Sequence, residues 1–314
     1  METISVAEKQ SFSLSSGFLL ALAANVLWGT TFLASKYTLQ AWGPITSAGL
    51  RFGIATICLF LGLKLLRRKI EFPQTPRQWG GLFLIGTTAF GVLYPMQLAG
   101  LKFIPSSLSA AIMLTSPLAV LLLGRILLKE ELSKKKYIAL IFGIIGGSIL
   151  ILSTSSLSVN FDSDFALGTV LTLAASVSLA VSIIATRAYS KDFSSSDLTF
   201  WSMAIGFFEL SIAAFLFEEN VLATINLYSN PIAWSSMLFL AIVCSAFCFF
   251  IWNHALSKAS PQDIASSMHI KTPTAVLLGV LIAGEALTYR IVTGTALVMI
   301  GVWLSQQNKA GVKK

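Results

Sequence analysis

Apolar stretches long enough to cross a lipid bilayer recur ten times in this chain, over approximately residues 17–36, 44–64, 79–100, 105–127, 136–153, 165–187, 197–217, 233–256, 261–283 and 288–306. A helix rises about 1.5 Å per residue, so about 20 apolar residues cover ~30 Å of hydrocarbon while every backbone group is bonded within the helix. The 314 residues are 55% hydrophobic and 11% charged, with a mean hydropathy of +0.78, well under the charged share of a soluble domain. No aqueous core could hide that much apolar surface. The sequence therefore predicts an all-α membrane protein of ten transmembrane helices, with connections too short to hold a soluble domain.

Residues 1–16 carry Glu2, Glu8, Lys9 and several serines. They lack the positive segment of a cleaved signal, so the first apolar stretch is expected to stay as a helix. The formal charge of +8 comes from short basic clusters between apolar runs and forms no basic helical face, so no nucleic-acid partner is expected. With the N-terminus in the cytoplasm, sixteen of the 22 basic residues fall in inner tails and loops, among them Lys64, Arg67, Arg68, Lys69, Lys134, Lys135 and Lys136. Only Lys36, Lys102 and Arg290 fall outside, and Arg51, Arg125 and Lys271 lie within helices. Because cytoplasmic loops carry the lysine and arginine excess, both termini are expected on the cytoplasmic face of the cell membrane.

The chain also repeats itself. Residue n laid against n+156 aligns Ala99 with Ala255, Pro105 with Pro261, Pro117 with Pro273 and Val120 with Val276. With one residue dropped, Glu130, Leu132 and Ser133 align with Glu285, Leu287 and Thr288. A weaker match relates Ala23, Ala24 and Lys36 to Ala174, Ala175 and Arg187. The expected organisation is a cytoplasmic tail (1–16), a first five-helix repeat (17–153), a linker outside the cytoplasm (154–164), a second five-helix repeat (165–306) and a second cytoplasmic tail (307–314). Five is odd, so the second repeat enters the membrane from the other side. Inverted repeats are a signature of alternating-access carriers.

The residues that carry a family resemblance are Trp28-Gly29-Thr30-Thr31-Phe32, Leu50-Arg51-Phe52, Pro117 with Glu130-x-Leu132-Ser133, and Pro273 with Glu285-x-Leu287-Thr288. In these the chain resembles the EamA family of the drug/metabolite transporter superfamily, over essentially its whole length. The second half departs from the first in having Leu179 and Ala180 where the first has Trp-Gly. The resemblance implies a cavity lined by helices 1, 3, 4, 6, 8 and 9, with helices 5 and 10 together away from it. It also implies export of amino acids or other small metabolites.

Lys271 is expected near the middle of helix 9, where an ammonium costs roughly 2.5–3.5 kcal/mol on insertion scales. Two readings stay open: it attracts an anionic substrate group, or it is held by unwound carbonyls or snorkels. Its repeat partner is Thr115. Pro273 and Pro117 should kink helices 9 and 4 beside the site. His269 lies two residues from Lys271 and faces the cavity with it only if the kink intervenes. Asn25, Trp28, Tyr94, Gln97, Asn253 and His254 are candidate hydrogen-bonding or stacking residues, and each can instead bond a neighbouring helix. Arg51 and Glu209 fall on helices 2 and 7, which the resemblance places outside the cavity; structural pairing is expected for them, with proton acceptance in coupling as the alternative for Glu209. Gly143 with Gly147, and Gly294 with Gly301, offer smooth faces for helix packing or a homodimer.

No nucleophile with a base, no HExxH and no acid pair within the helices is present, so no enzymatic activity is expected. Cys58, Cys244 and Cys248 have no metal-site spacing, and no cofactor is expected. The expected function is secondary export of amino acids or related small polar metabolites, with import or exchange of a small anionic metabolite, or a channel-like pore, as alternatives.

Overall fold

The computed structural model describes residues 16–127, 129, 132–151, 163–225, 230–258 and 267–306. Glu130, Pro261 and the side chain of Asn253, which the sequence singled out, lie outside the described residues. The described residues are helical and contain no strand. In chain order the long helices are α1 (Ser16–Thr38), α2 (Pro44–Leu65), α3 (Pro76–Leu101), α4 (Ser106–Met113 continued by Ser116–Leu127) and α5 (Lys134–Ile151). They are followed by α6 (Ser163–Tyr189), α7 (Ser195–Phe217), α8 (Pro231–Leu238 running on to Lys258), α9 (Met268–Ile270 and Lys271–Leu281) and α10 (Tyr289–Gln306). Seven of these segments, in α1–α4 and α6–α8, have the length and apolarity of a membrane span. The stretches expected as spans nine and ten are shorter apolar helices, and α5 opens on three lysines.

Local sequence explains where several helices begin. Thr75 and Gln78 form a reciprocal capping box at the start of α3, with Pro76 in the first turn. Asn230 accepts from the Ala233 amide ahead of α8, and Ser194 from the Asp197 amide ahead of α7. The packing is inside-out relative to a water-soluble protein. Large apolar side chains such as Ile57, Phe208, Phe215 and Leu216 face outward, while Ser47, Ser109, Thr172, Ser176 and Ser202 are buried. Small hydroxylated residues allow close helix approach where lipid supplies no hydrophobic force between helices. Trp42 and Trp234 pack at one end of the bundle, and Trp79 and Trp201 at the other, as amphipathic rings do at membrane–water boundaries. The second of these ends also carries Lys64 to Lys69 and is termed the basic end; the first is the opposite end.

Helices α5 and α10 pack along their lengths. A Cβ built on Gly146 would stand 2.7 Å from the Gly294 carbonyl oxygen, and one on Gly301 would stand 2.8 Å from that of Ala139, so the two backbones touch. The glycine faces read from sequence are thus used within the chain. Gly146 does what was expected of Gly147, which meets only Thr115 of α4.

Two local distortions were invisible in the sequence. Helix α3 widens to a π-helix over Thr87–Val92, and α8 over Phe239–Phe247. Shifted by 156, residues 87–92 become 243–248, so the two π segments overlap under the repeat.

Candidate functional site

Helix α9 starts as a 3-10 turn at Met268–Ile270 and becomes α-helical at Lys271. Pro273 is the third residue of that α-helical part, where its missing N–H costs nothing. A 3-10 turn advances about 120° per residue against 100° in an α-helix, which brings residues two apart to about 120° of one another instead of 160°. With this 3-10 turn in place of the expected proline kink, His269 and Lys271 both line a cavity of about 240 Å³, together with Phe32, Met113, Pro117 and Leu179. Lys271 Nζ stands 5.6 Å from the centre of the Phe32 ring. No carboxylate pairs with Lys271 among the described residues. The cavity draws on α1, α4, α6 and α9, and also on Val302 of α10, while none of the described residues of α3 and α8 lines it.

Helix α1 holds this region together. A Cβ on Gly29 would lie 2.7 Å from the Lys271 carbonyl oxygen and 2.7 Å from Thr274 Cβ, so the α1 and α9 backbones touch at the level of the lysine. Replacing Gly29 with alanine is expected to push α1 off α9 and cost about 1–3 kcal/mol. Thermal unfolding in detergent should show a lower midpoint than for Gly62→Ala, where the added methyl meets nothing within 4 Å.

Trp28 donates through Nε1 to the Cys244 carbonyl at 2.9 Å and packs its ring against Phe249 and Trp252. Asn25 donates to the Ala21 carbonyl at 2.9 Å and to Ser267 Oγ at 3.1 Å, linking α1 to the start of α9. Tyr94 packs against Phe52 and Phe90. Gln97 is half-buried on α3 with no hydrogen bond to the described residues. His254 lies apart, in an exposed recess at the basic end with Arg68, Ser194 and Thr199.

Two expectations are corrected. Arg51 and Glu209 do not pair. Helix α2 packs on α8, and the long Arg51 side chain reaches inward, donating from Nε to Ser245 Oγ at 3.0 Å with its guanidinium 4.9 Å from the Tyr94 ring centre. Glu209 instead accepts from Thr87 Oγ1 at 2.5 Å and packs against Gly91, on the π segment of α3. Thr115 does not share the Lys271 cavity. Helix α4 breaks at Leu114–Thr115, ahead of Pro117, and turns the Thr115 hydroxyl to Ser176 Oγ at 3.0 Å, in a separate recess of about 340 Å³ between α4, α5 and α6.

The opposite end is closed by carboxylates from the second half set on helix starts of the first. Glu285, between α9 and α10, accepts from the Ser106 amide (2.7 Å), Ser106 Oγ (2.7 Å) and the Ser107 amide (2.9 Å), and pairs with Lys36 of α1 at 3.1 Å. Gly284 at φ 65° makes the preceding turn, a backbone conformation suited to glycine. Burial alone would raise the Glu285 carboxyl, yet the Ser107 and Ser106 donors outweigh it and hold the group down to about 2. Glu218 likewise accepts from the Ile45 and Thr46 amides at 2.7 and 3.0 Å. Neither α2 nor α4 carries an acidic residue in its first turn, so these distant carboxylates fill the favourable anionic position at each helix start. Sequence reasoning noticed Glu285 only as part of a repeated motif, and gave Lys36 and Glu218 no role. The acid-free starts of α2 and α4 were the available signal.

The paired organisation is matched by comparison. The profile of the EamA-like transporter family fits residues 15–153 and again 166–306. The chain belongs to the EamA-like transporter family. An uncharacterized transporter of Archaeoglobus fulgidus is 25% identical over 91% of this chain and 97% of its own. A probable amino-acid metabolite efflux pump of Salmonella typhimurium is 26% identical over 93% of this chain and 95% of its own, and Protein PecM of Dickeya dadantii is 26% identical over 91% of each. A crystal structure with 18% sequence identity covers 94% of this chain and 98% of its own at a TM-score of 0.65, a likeness of fold. This EamA-like chain is a membrane transporter of the drug/metabolite type.

Proposed function

We propose that this transporter is a secondary exporter of amino acids or related small polar metabolites across the cytoplasmic membrane, working by alternating access between two inverted five-helix units with both termini in the cytoplasm. The observation that carries the reading is the Lys271 ammonium, which lines a cavity at the junction of the two repeats and meets no carboxylate among the described residues. A charge at such a depth is costly unless it faces a cavity or a partner, and a solute anion supplies the partner. Support for the metabolite class comes from the Salmonella relative, named a probable amino-acid metabolite efflux pump. The Glu285 and Glu218 clasps hold the two halves together at the opposite end, which suits a carrier that opens and shuts there. The same unpaired ammonium favours a second reading, import or exchange of a small anionic metabolite, since inverted symmetry leaves direction open.

Counterflow in proteoliposomes tests the proposal. Vesicles preloaded with a transported solute should accelerate uptake of its labelled form several-fold over empty vesicles. Uptake indifferent to preloading would point to a pore and count against alternating access.

A further inference from the structure

The polar side chains of the Lys271 cavity all stand on one wall. His269, Lys271 and Thr272 belong to α9, whereas the walls supplied by α1, α4, α6 and α10 are apolar, with Phe32, Met113, Leu114, Val120, Leu179 and Ile183 among them. Two donors on the α9 wall are unused. The Lys271 ammonium bonds none of the described residues and has only the Phe32 ring beside it. Thr272 is 3% exposed, and its hydroxyl likewise has no hydrogen-bond partner among the described residues. A helical threonine can bond back to the carbonyl four residues before it, as Thr274 does to Ile270 at 2.8 Å. For Thr272 that carbonyl is Met268, which takes the Lys271 amide in the 3-10 turn instead. The turn that starts α9 thus leaves an ammonium and a hydroxyl, on consecutive residues, without acceptors at the cavity wall.

This layout sorts solutes by charge. A carboxylate at the α9 wall accepts from both donors. A second carboxylate meets no donor on the other walls, where an unpaired charge is costly. An ammonium fares no better, because no carboxylate lines the cavity. In an amino acid the ammonium sits on the carbon next to the carboxylate, so it is carried towards Lys271 and repelled. The apolar walls suit a carbon body, with the flexible Met113 side chain adapting to its shape. At about 240 Å³ the cavity is smaller than the ~300–1,000 Å³ of drug-sized sites, so the body is small.

We infer that the solute is a small organic acid with one carboxylate, an apolar body and no ammonium, as in a branched-chain α-keto acid, held through its carboxylate by Lys271 and Thr272. The inference rests on the transport reading and narrows its solute class, ranking apolar monoanions above zwitterionic amino acids and dianions.

Radiolabelled α-ketoisocaproate, which has the carbon skeleton of leucine with an oxo group in place of the ammonium, is the probe. Its binding to purified protein in detergent is followed by equilibrium dialysis with leucine and succinate as competitors, and all three solutes are tested by counterflow in vesicles. In wild type the keto acid should half-saturate at a concentration at least about tenfold below those of leucine and succinate. Lys271→Met should raise the keto acid value about tenfold or more, as truncating one side of a desolvated charge pair does. Thr272→Val should raise it about tenfold, the usual effect of losing one hydrogen bond to a charged group. Wild type that binds leucine or succinate as tightly as the keto acid, or does not bind the keto acid, overturns the inference, as does either variant binding it like wild type. The wild-type order decides the matter even if a variant fails to fold. Keto acid binding in the expected order without counterflow of any solute sinks the transport reading and leaves the site standing, whereas counterflow of leucine alone does the reverse.

Discussion

Lys271→Met is expected to make this transporter more stable and close to inactive. Methionine keeps the length of the side chain and fills the same space beside Phe32, so packing changes little. It removes an ammonium that no carboxylate neutralises among the described residues. Since a lysine at mid-helix costs roughly 2.5–3.5 kcal/mol on insertion scales, relief of even half of this should add about 1–2 kcal/mol to stability. Transport should fall about tenfold or more because the solute loses a desolvated charge partner. The two readouts move in opposite directions, and that separates function from architecture. A structural lysine held by backbone carbonyls would give lower stability on substitution. Thermal unfolding and counterflow measured on one preparation decide between them.

Glu285→Gln is expected to act at the other level, on the closure of the opposite end. The carboxylate holds two backbone amides and a hydroxyl at the start of α4 and an ammonium on α1, and glutamine can keep the amides only in part. The loss should be about 2 kcal/mol, the usual size for hydrogen bonds to a charged group. Because the contacts join α1 and α4 of the first repeat to the α9–α10 connection of the second, weakening them favours opening at this end. The pH dependence has a definite sign. The Glu285 carboxyl is held down to about 2 from an ordinary value of 4.5, so its contribution is complete above about 4.5 and disappears as pH falls towards 2. Thermal midpoints of wild type should therefore fall more steeply over that interval than those of Glu285→Gln. Parallel profiles would mean that the clasp contributes nothing.

How much of this was legible in the sequence depends on which physical signal each feature leaves. Helices leave long apolar runs, and α2, expected over 44–64, occupies Pro44–Leu65. Pro117 and Pro273 announce backbone breaks because a ring without an N–H acts locally, and both stand beside one. Arg51 finds its partner away from Glu209 because a side chain of that length bonds the helix it reaches, here α8. Thr115 was misplaced for a related reason: a repeat conserves backbone position, but the break in α4 re-aims the side chain towards Ser176. The π segments of α3 and α8 leave no periodic trace, since one extra residue per turn shifts no composition. Glu285 and Glu218 act on amides 179 and 173 residues away, a range no local pattern encodes.

Alternating access requires one solute site at mid-depth that opens to each face in turn, and thiol accessibility at position 269 tests this most directly. In protein with Cys58, Cys244 and Cys248 replaced by alanine, His269→Cys should react with a membrane-impermeant thiol reagent applied to either face alone. Saturating transported solute should slow both reactions, and adding Glu285→Gln should speed the one at the opposite end. Reaction from a single face, at a rate indifferent to solute and to Glu285, would contradict alternating access around Lys271.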